Sequence, residues 1–408
     1  MRSLVESIRV KSDSRILMCV LDGLGGLPVK GKTELQAAKT PNLDKLARSS
    51  SCGLHTPVAL GITPGSGAAH LGLFGYDPVS SEMGRGVVEA AGLGIKIGKN
   101  DVVARGNFAT ARARGKELIL TDRRAGRIST KQSAALVKRL SSSIKKAGGA
   151  KVKIVPGLEH RFVVVFTFPH PVPGGHEISD TDPQKEGAAV PEEAKTESRN
   201  AKTRAAARAA GIFCKKARKI LKDGKNANCV LLRGFSTPPD FKPFGETYGL
   251  QAACVAAYPM YRGVAGILGM EIRDPLGAGA GQAVEGTEKI FSEFDFVYTH
   301  VKATDRYGED GNFREKVRAI EEFDKLLPRL LALCPDVLII TGDHSTPALM
   351  AAHSWHPVPL IISSRHSIGG TKGFNEIDCR TGELGIIRSV EIMPLALAHA
   401  GRLAKFGA

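Results

Sequence analysis

The stretch Ile339-Ile340-Thr341-Gly342-Asp343-His344-Ser345-Thr346-Pro347, with His353 beyond it, constrains this chain most, because an apolar strand hands an acid and an imidazole to its carboxyl end. Two other apolar runs end in the same way. Ile16 to Leu21 leads into Asp22-Gly23, and Phe294 to Val301 leads into Lys302-Ala303-Thr304-Asp305, with Glu309 just after. In open α/β sheets ligands bind in the crevice outside the carboxyl ends of the strands, so segments distant in sequence can converge there. Oxygen and nitrogen donors on three strand ends suit a metal ion. Each piece alone has a blander reading: Asp-Gly after a strand is a common turn signal, and a single strand-end histidine is often held by structural hydrogen bonds. The combination, with His356 near the same edge, points to a site.

The 408 residues are 42% hydrophobic and 24% charged, an ordinary globular balance with room for more than one domain. No run approaches the roughly 18 to 20 apolar residues of a membrane span, and the N-terminal residues lack a hydrophobic signal core, so a cytoplasmic protein with no membrane partner is expected. Seven scattered cysteines without a CxxC spacing argue against a disulfide framework. The formal charge of +16 attracts either nucleic acid or small anions. Much of it lies in Lys195 to Lys225, where basic residues alternate with alanines as on a solvated amphipathic helix. That segment holds Phe213 as its one aromatic residue and matches no nucleic-acid module, so a small phosphorylated anion is the expected partner. Oligomeric state is left open.

The strand at 16–21 is followed by a Gly-rich turn and by a helix from Pro41, with Thr40 expected as its N-cap. In Gly61 to Gly72 small residues let backbone amides approach a ligand, and a helix is expected to begin near Ser66, where an anion could rest. From about Ser80 the texture changes to short strands and turns, then the basic helical stretch. Buried strands near 249–255, 294–301, 337–340 and 358–362 alternate with helical patterns such as Phe313 to Leu331. This alternation predicts a doubly wound α/β sheet. Because ligand candidates occur at 22 and 66 and then only beyond 300, the middle reads as an insertion: a discontinuous core of 1–79 and 248–408, and an inserted domain of 80–247.

Across nearly its whole length the chain resembles the alkaline phosphatase superfamily and, within it, the archaeal-type cofactor-independent phosphoglycerate mutases. The resemblance is carried by Val20-Leu21-Asp22-Gly23-Leu24-Gly25, Pro64-Gly65-Ser66, Arg105-Gly106-Asn107-Phe108, Asp122-Arg123-Arg124-Ala125-Gly126-Arg127, Ser179-Asp180-Thr181-Asp182-Pro183, His300-Val301-Lys302-Ala303-Thr304-Asp305 and Thr341 to Pro347. It implies an alkaline-phosphatase-like mixed-sheet core with a smaller inserted α+β substrate domain. It also implies a nucleophilic Ser66 and two divalent ions, one on Asp22, Ser66, Asp343 and His344, the other on Asp305, Glu309 and His353. Bisphosphoglycerate is not required. At 309 the family usually has histidine; a carboxylate there shifts preference toward Mn²⁺ or Mg²⁺ over Zn²⁺, unless Glu309 only leads a helix. The implied substrate shell is Arg123, Arg124, Arg161, Asp180, Asp182, Arg233 and Arg262, assigned to the inserted domain, with Lys302 and with His160 moving protons. Gln184 stands where the family commonly has histidine after Asp-Thr-Asp-Pro. A kinase acting on an amino-acid alcohol such as homoserine, or a phosphomonoesterase, is the alternative. A hinge is expected near 78–86 and 244–250.

Overall fold

The computed structural model describes residues 2–80, 84–115, 117–239, 241–275 and 277–407. Among them are fourteen strands: β1 (Ile16–Leu21), β2 (Ser51–Thr56), β3 (Asp101–Arg114), β4 (Glu117–Asp122), β5 (Lys146–Ala147), β6 (Ala150–Pro156), β7 (Arg161–Thr167), β8 (Cys229–Ser236), β9 (Ala252–Val255), β10 (Glu271–Arg273), β11 (Phe296–Val301), β12 (Val337–Thr341), β13 (Val358–Ser364) and β14 (Gly385–Arg388). The chain divides into two compact units, Met1–Glu82 with Phe241–Ala408, and Met83–Asp240.

The first unit is built on an eight-stranded sheet in the order β10-β9-β11-β1-β12-β13-β2-β14. β1 lies at its centre, parallel to both β11 and β12, whereas β13 runs antiparallel to its two neighbours. Every residue of β1, β11 and β12 is buried, as expected for strands covered on both faces. Alternation assigns Leu17, Cys19 and Leu21 to one face, with Ile320, Phe323, Leu327 and Leu330 of helix Phe313–Leu331. On the other face Phe74, Phe244, Phe296 and Tyr298 meet edge to face or tilted, with ring centroids 4.9–6.2 Å apart. The sheet's three central strands therefore present their carboxyl ends at one edge.

Local details depart from the sequence reading in instructive ways. Thr40 sits at the N-cap of helix Pro41–Arg48, but its side chain makes no capping bond. Asp324 supplies it from helix Phe313–Leu331, its Oδ1 accepting from the Leu43 N–H at 2.8 Å. A tertiary acid thus replaces a local cap. Phe244–Tyr248, expected within the hinge and the insertion, is a helix of the first unit with Phe244 and Tyr248 buried. Of the other expected hinge segment, residues 81–83 lie outside the described residues.

The second unit carries an antiparallel six-stranded sheet, β4-β3-β7-β6-β5 with β8 on β3. Helices Thr130–Ser143 and Ala201–Leu221 cover one face through residues such as Val137, Leu140, Phe213 and Ala217. Helix Ala201–Leu221 is amphipathic as expected, with Lys202, Arg204, Arg208, Lys215 and Lys219 exposed. Residues 83–240 hold 31 Lys and Arg against 14 Asp and Glu, a net +17 that accounts for the chain's entire excess, the other unit being −1. No helix among the described residues is long and apolar enough to cross a membrane.

Phe323 is fully buried against the central strands. Phe323→Ala is expected to cost about 3–5 kcal/mol, read as a lower denaturation midpoint of the first unit.

Candidate metal centre

β1 ends in Asp22, and the ladder runs on through the Asp22 N–H, which donates to the Val301 carbonyl at 2.9 Å. Asp22 Oδ2 receives His300 Nε2 and Lys302 Nζ, each at 3.0 Å. Beyond β12, Asp343 Oδ1 accepts the Gly23 N–H at 3.0 Å. Asp22 Oδ1 and Asp343 Oδ2 are both buried and have no hydrogen-bond partner among the described residues. Both face His344 Nε2, at 3.5 and 3.2 Å. His70 Nδ1 also lies 3.3 Å from Asp343 Oδ2, but it donates to the Ser66 carbonyl at 2.8 Å instead. Two buried carboxylate oxygens without donors are costly unless a cation joins them.

Ser66 opens helix Ser66–Leu73, as its sequence suggests, and its Oγ lies 3.2 Å from His344 Nε2. The first helical hydrogen bond runs from the Ala69 N–H to Gly65, so the preceding amides are not used within the helix. A Cβ added at Gly65 or Gly67 would meet nothing within 4 Å, which leaves this helix start open to an incoming anion.

A second group adjoins the first. Asp305, His344 and His353 offer ligand atoms within 4.8 Å of one another, as do Asp22, Asp343 and His344. His353 Nε2 is 3.5 Å from Asp305 Oδ1, and its Nδ1 donates to the Pro64 carbonyl at 3.0 Å, turning the ring toward the acid. The His344 and His353 rings stack with centroids 3.8 Å apart. Glu309 is the last residue of helix Ala303–Glu309 and leads no helix; its half-exposed carboxylate approaches His353 Nε2 at 3.6 Å but is not part of either group. His356 lies outside as well, stacked on Trp355 and bonded to Ser354. Lys302 holds both acids: its Nζ bonds Asp305 Oδ2, Asp22 Oδ2 and the Tyr261 hydroxyl. Burial disfavours its charge, but Asp22 and Asp305 outweigh that and raise its pKa.

The supporting residues were not legible in the sequence. His55 of β2 bonds Thr341 Oγ1 and the Gly342 carbonyl through Nε2 and Ser389 through Nδ1. Burial pushes its pKa down to about 4, so it braces the Gly342-Asp343 turn as a neutral ring. Lys316, wholly buried, donates to the Gly25 and Thr346 carbonyls at 2.9 Å and lies 3.9 Å from Glu34. It fastens together the loops that follow β1 and β12. Helical periodicity offers a faint signal, since Lys316 falls on the apolar stripe of its helix.

In the second unit the remaining candidates gather on the sheet face opposite the long helices. β3 and β8 set Arg105 opposite Arg233, and β3 and β7 set Asn107 opposite Arg161. Buried Nε atoms of Arg105, Arg161 and Arg233, Asn107 Oδ1 and His160 Nδ1 all lack partners among the described residues. Three buried guanidinium nitrogens without acceptors on one face could receive an anion. Burial, assisted by Arg161, lowers the His160 pKa to about 4. Burial lowers the Arg105 pKa to about 10, which Glu89, 4.0 Å away, offsets only in part. Arg123 grips Asp182 with two bonds of 2.8 and 3.1 Å, and Asp180 accepts the Gly234 N–H at 2.7 Å. These acids organise the arginines. Arg124 contributes a backbone N–H to Asp122. Gln184 adopts a left-handed turn, φ +59°, and donates its N–H to Asp182. Arg262, assigned to the insertion by sequence, belongs to helix Pro259–Ile267 of the first unit and pairs with Asp274. Arg105 and Asn107 were missed as site residues; a charge and an amide interrupting an apolar run were the available signal.

Fold and site define an α/β protein whose sheet edge gathers a cation-binding cluster beside a serine at a helix N-terminus. A profile of the 2,3-bisphosphoglycerate-independent phosphoglycerate mutases matches residues 47–226. A probable enzyme of that description from Aquifex aeolicus is 50% identical over 98% of both chains, and one from Thermus thermophilus is 46% identical over 99% of this chain and 98% of its own. Among solved structures, a Pyrococcus horikoshii protein superposes with a TM-score of 0.82 at 31% identity, covering 97% of this chain and 99% of its own. The cofactor-independent phosphoglycerate mutase of Thermoplasma acidophilum gives 0.73 at 30% identity, covering 95% and 100%. The chain belongs to the family of 2,3-bisphosphoglycerate-independent phosphoglycerate mutases.

Two predictions follow from the electrostatics. Saturating Mn²⁺ at 100 times its Kd is expected to stabilise the protein by about 2.7 kcal/mol per site, seen as a higher melting temperature that chelator reverses and Asp343→Asn diminishes. Because the folded pKa of His160 is depressed to about 4, the unfolded chain takes up a proton first as pH falls below its ordinary value of about 6.5. Stability is therefore full above that value and declines down to about pH 4, and His160→Gln should flatten this part of a denaturation profile.

Proposed function

We propose that this chain interconverts 3-phosphoglycerate and 2-phosphoglycerate without bisphosphoglycerate, by moving the phosphoryl group to Ser66 and back. One observation carries the reading: acceptor atoms without donors, Asp22 Oδ1 and Asp343 Oδ2, converge with His344 Nε2 beside Ser66 Oγ. The residues fit two divalent ions, one on Asp22, Ser66, Asp343 and His344 and one on Asp305 and His353 with Glu309 in reach. Mn²⁺ or Mg²⁺ matches this carboxylate-rich set, and when bound such ions favour the serine alkoxide and neutralise charge on the phosphoryl oxygens.

The chain's own groups account for the rest. Ser66 Oγ gives up its proton and forms a bond to phosphorus as the bond to the substrate oxygen breaks, and that oxygen takes up a proton to become a glycerate hydroxyl, so no net proton is gained or lost. Transfer back to the other hydroxyl reverses these changes. Free amides at the start of helix Ser66–Leu73 donate to the phosphoryl oxygens. Arg105, Arg161 and Arg233 suit the glycerate carboxylate, and Arg123 with Asp182 and Asp180 keeps them in place. His160, neutral with an unpartnered Nδ1, is suited to accept and return the hydroxyl proton.

Ser66→Ala is expected to fold normally and lose about 10³-fold or more of its mutase activity. Acid-quenched wild-type protein should carry phosphate on the peptide containing Ser66. Full activity in the variant, or ATP-dependent phosphorylation of homoserine by the wild type without mutase turnover, would overturn the reading.

A further inference from the structure

We propose that Thr346 is the positioning residue that joins the two cation sites, its hydroxyl deciding whether the His344 nitrogen that faces the ligand cluster is free of its proton. The inference rests on the two-ion reading above. Thr346 is fully buried, and its Oγ1 stands 2.7 Å from Asp305 Oδ1 and 3.0 Å from His344 Nδ1. These neighbours belong to the two different ligand groups, with His344 shared by both.

Proton counting fixes the directions. An ionised carboxylate only accepts, so the hydroxyl donates to Asp305, and the oxygen that remains can only accept from His344. That requires the imidazole proton on Nδ1. Nε2 is then a bare lone pair, turned toward Asp343 Oδ2 at 3.2 Å, Ser66 Oγ at 3.2 Å and Asp22 Oδ1 at 3.5 Å. With the opposite tautomer a proton would sit where a cation is to bind. A ligating histidine is commonly oriented by what its other nitrogen bonds.

Thr346 is itself held from three sides. Its N–H donates to the Gly25 carbonyl at 3.1 Å, and its carbonyl accepts from Lys316 Nζ at 2.9 Å. Gly23, at φ +62°, makes room for the hydroxyl: a Cβ there would lie 2.5 Å from Thr346 Oγ1 and 2.8 Å from Asp305 Oδ1. The glycine after Asp22 therefore serves this relay as well as the turn.

The test compares wild type, Thr346→Val, which keeps the shape and loses the hydroxyl, and Thr346→Ser, which restores it. Ring ¹⁵N shifts of His344 in metal-free protein report the tautomer, and calorimetric titration with Mn²⁺ reports the affinities. Wild type and Thr346→Ser should show the Nδ1–H form. Thr346→Val should populate Nε2–H and bind ions about 10- to 100-fold more weakly. An Nε2–H tautomer in the wild type, or a valine variant with unchanged tautomer and affinities within twofold, would overturn the proposal. If the wild type binds fewer than two ions, the two-ion reading fails, while the tautomer comparison still decides the role of Thr346.

Discussion

Parallel pairing of β11, β1 and β12 is the constraint on which everything else depends. It aligns three carboxyl ends, so that Asp22, Lys302 with Asp305, and Asp343 with His344 emerge side by side although 322 positions separate Asp22 from His344 in sequence. The strands themselves are almost wholly apolar and buried, which makes the abrupt change to acids and imidazoles at their ends the more costly. That cost is localised, since the oxygens left without donors are those that face His344. The sheet holds these acceptors together, and a cation is what relieves them.

Around this edge the molecule spends buried polar groups on placement. Lys316 draws the loops after β1 and β12 toward each other, His55 braces the turn before Asp343, and Lys302 lies against both Asp22 and Asp305. Buried charges of this kind add little net stability against an apolar alternative, but they specify where a backbone must run. Their partners here are mainly carbonyls and acids of the ligand-bearing loops.

Much of the core was legible in the sequence because its strands are continuous apolar runs and helix Phe313–Leu331 keeps a regular stripe. Ser66 at a helix start and the two acids after β1 and β12 were readable for the same reason: they mark abrupt ends of strong patterns. β2 was missed because Ser-Cys-Gly-Leu-His-Thr carries no strand alternation and is buried only through its neighbours. The second unit was read as short strands, whereas β3 is fourteen residues long, pairing with β7 over its first half and with β4 near its end, where that second register shifts between Thr110 and Ala111. Arg105 and Arg233 are joined by that cross-strand register, which no local pattern reveals. The cap on Leu43 was likewise unreadable, because Asp324 lies 281 residues away.

Anomalous diffraction from crystals soaked in Mn²⁺ tests the central claim most directly. The account predicts two strong peaks at the carboxyl edge of the core sheet, one within bonding distance of Asp22, Asp343 and His344 Nε2 and one of Asp305 and His353, both about 2.0–2.3 Å from their ligands. An edge without a peak, or an ion held elsewhere while Asp22 and Asp343 keep to protein donors, would contradict it.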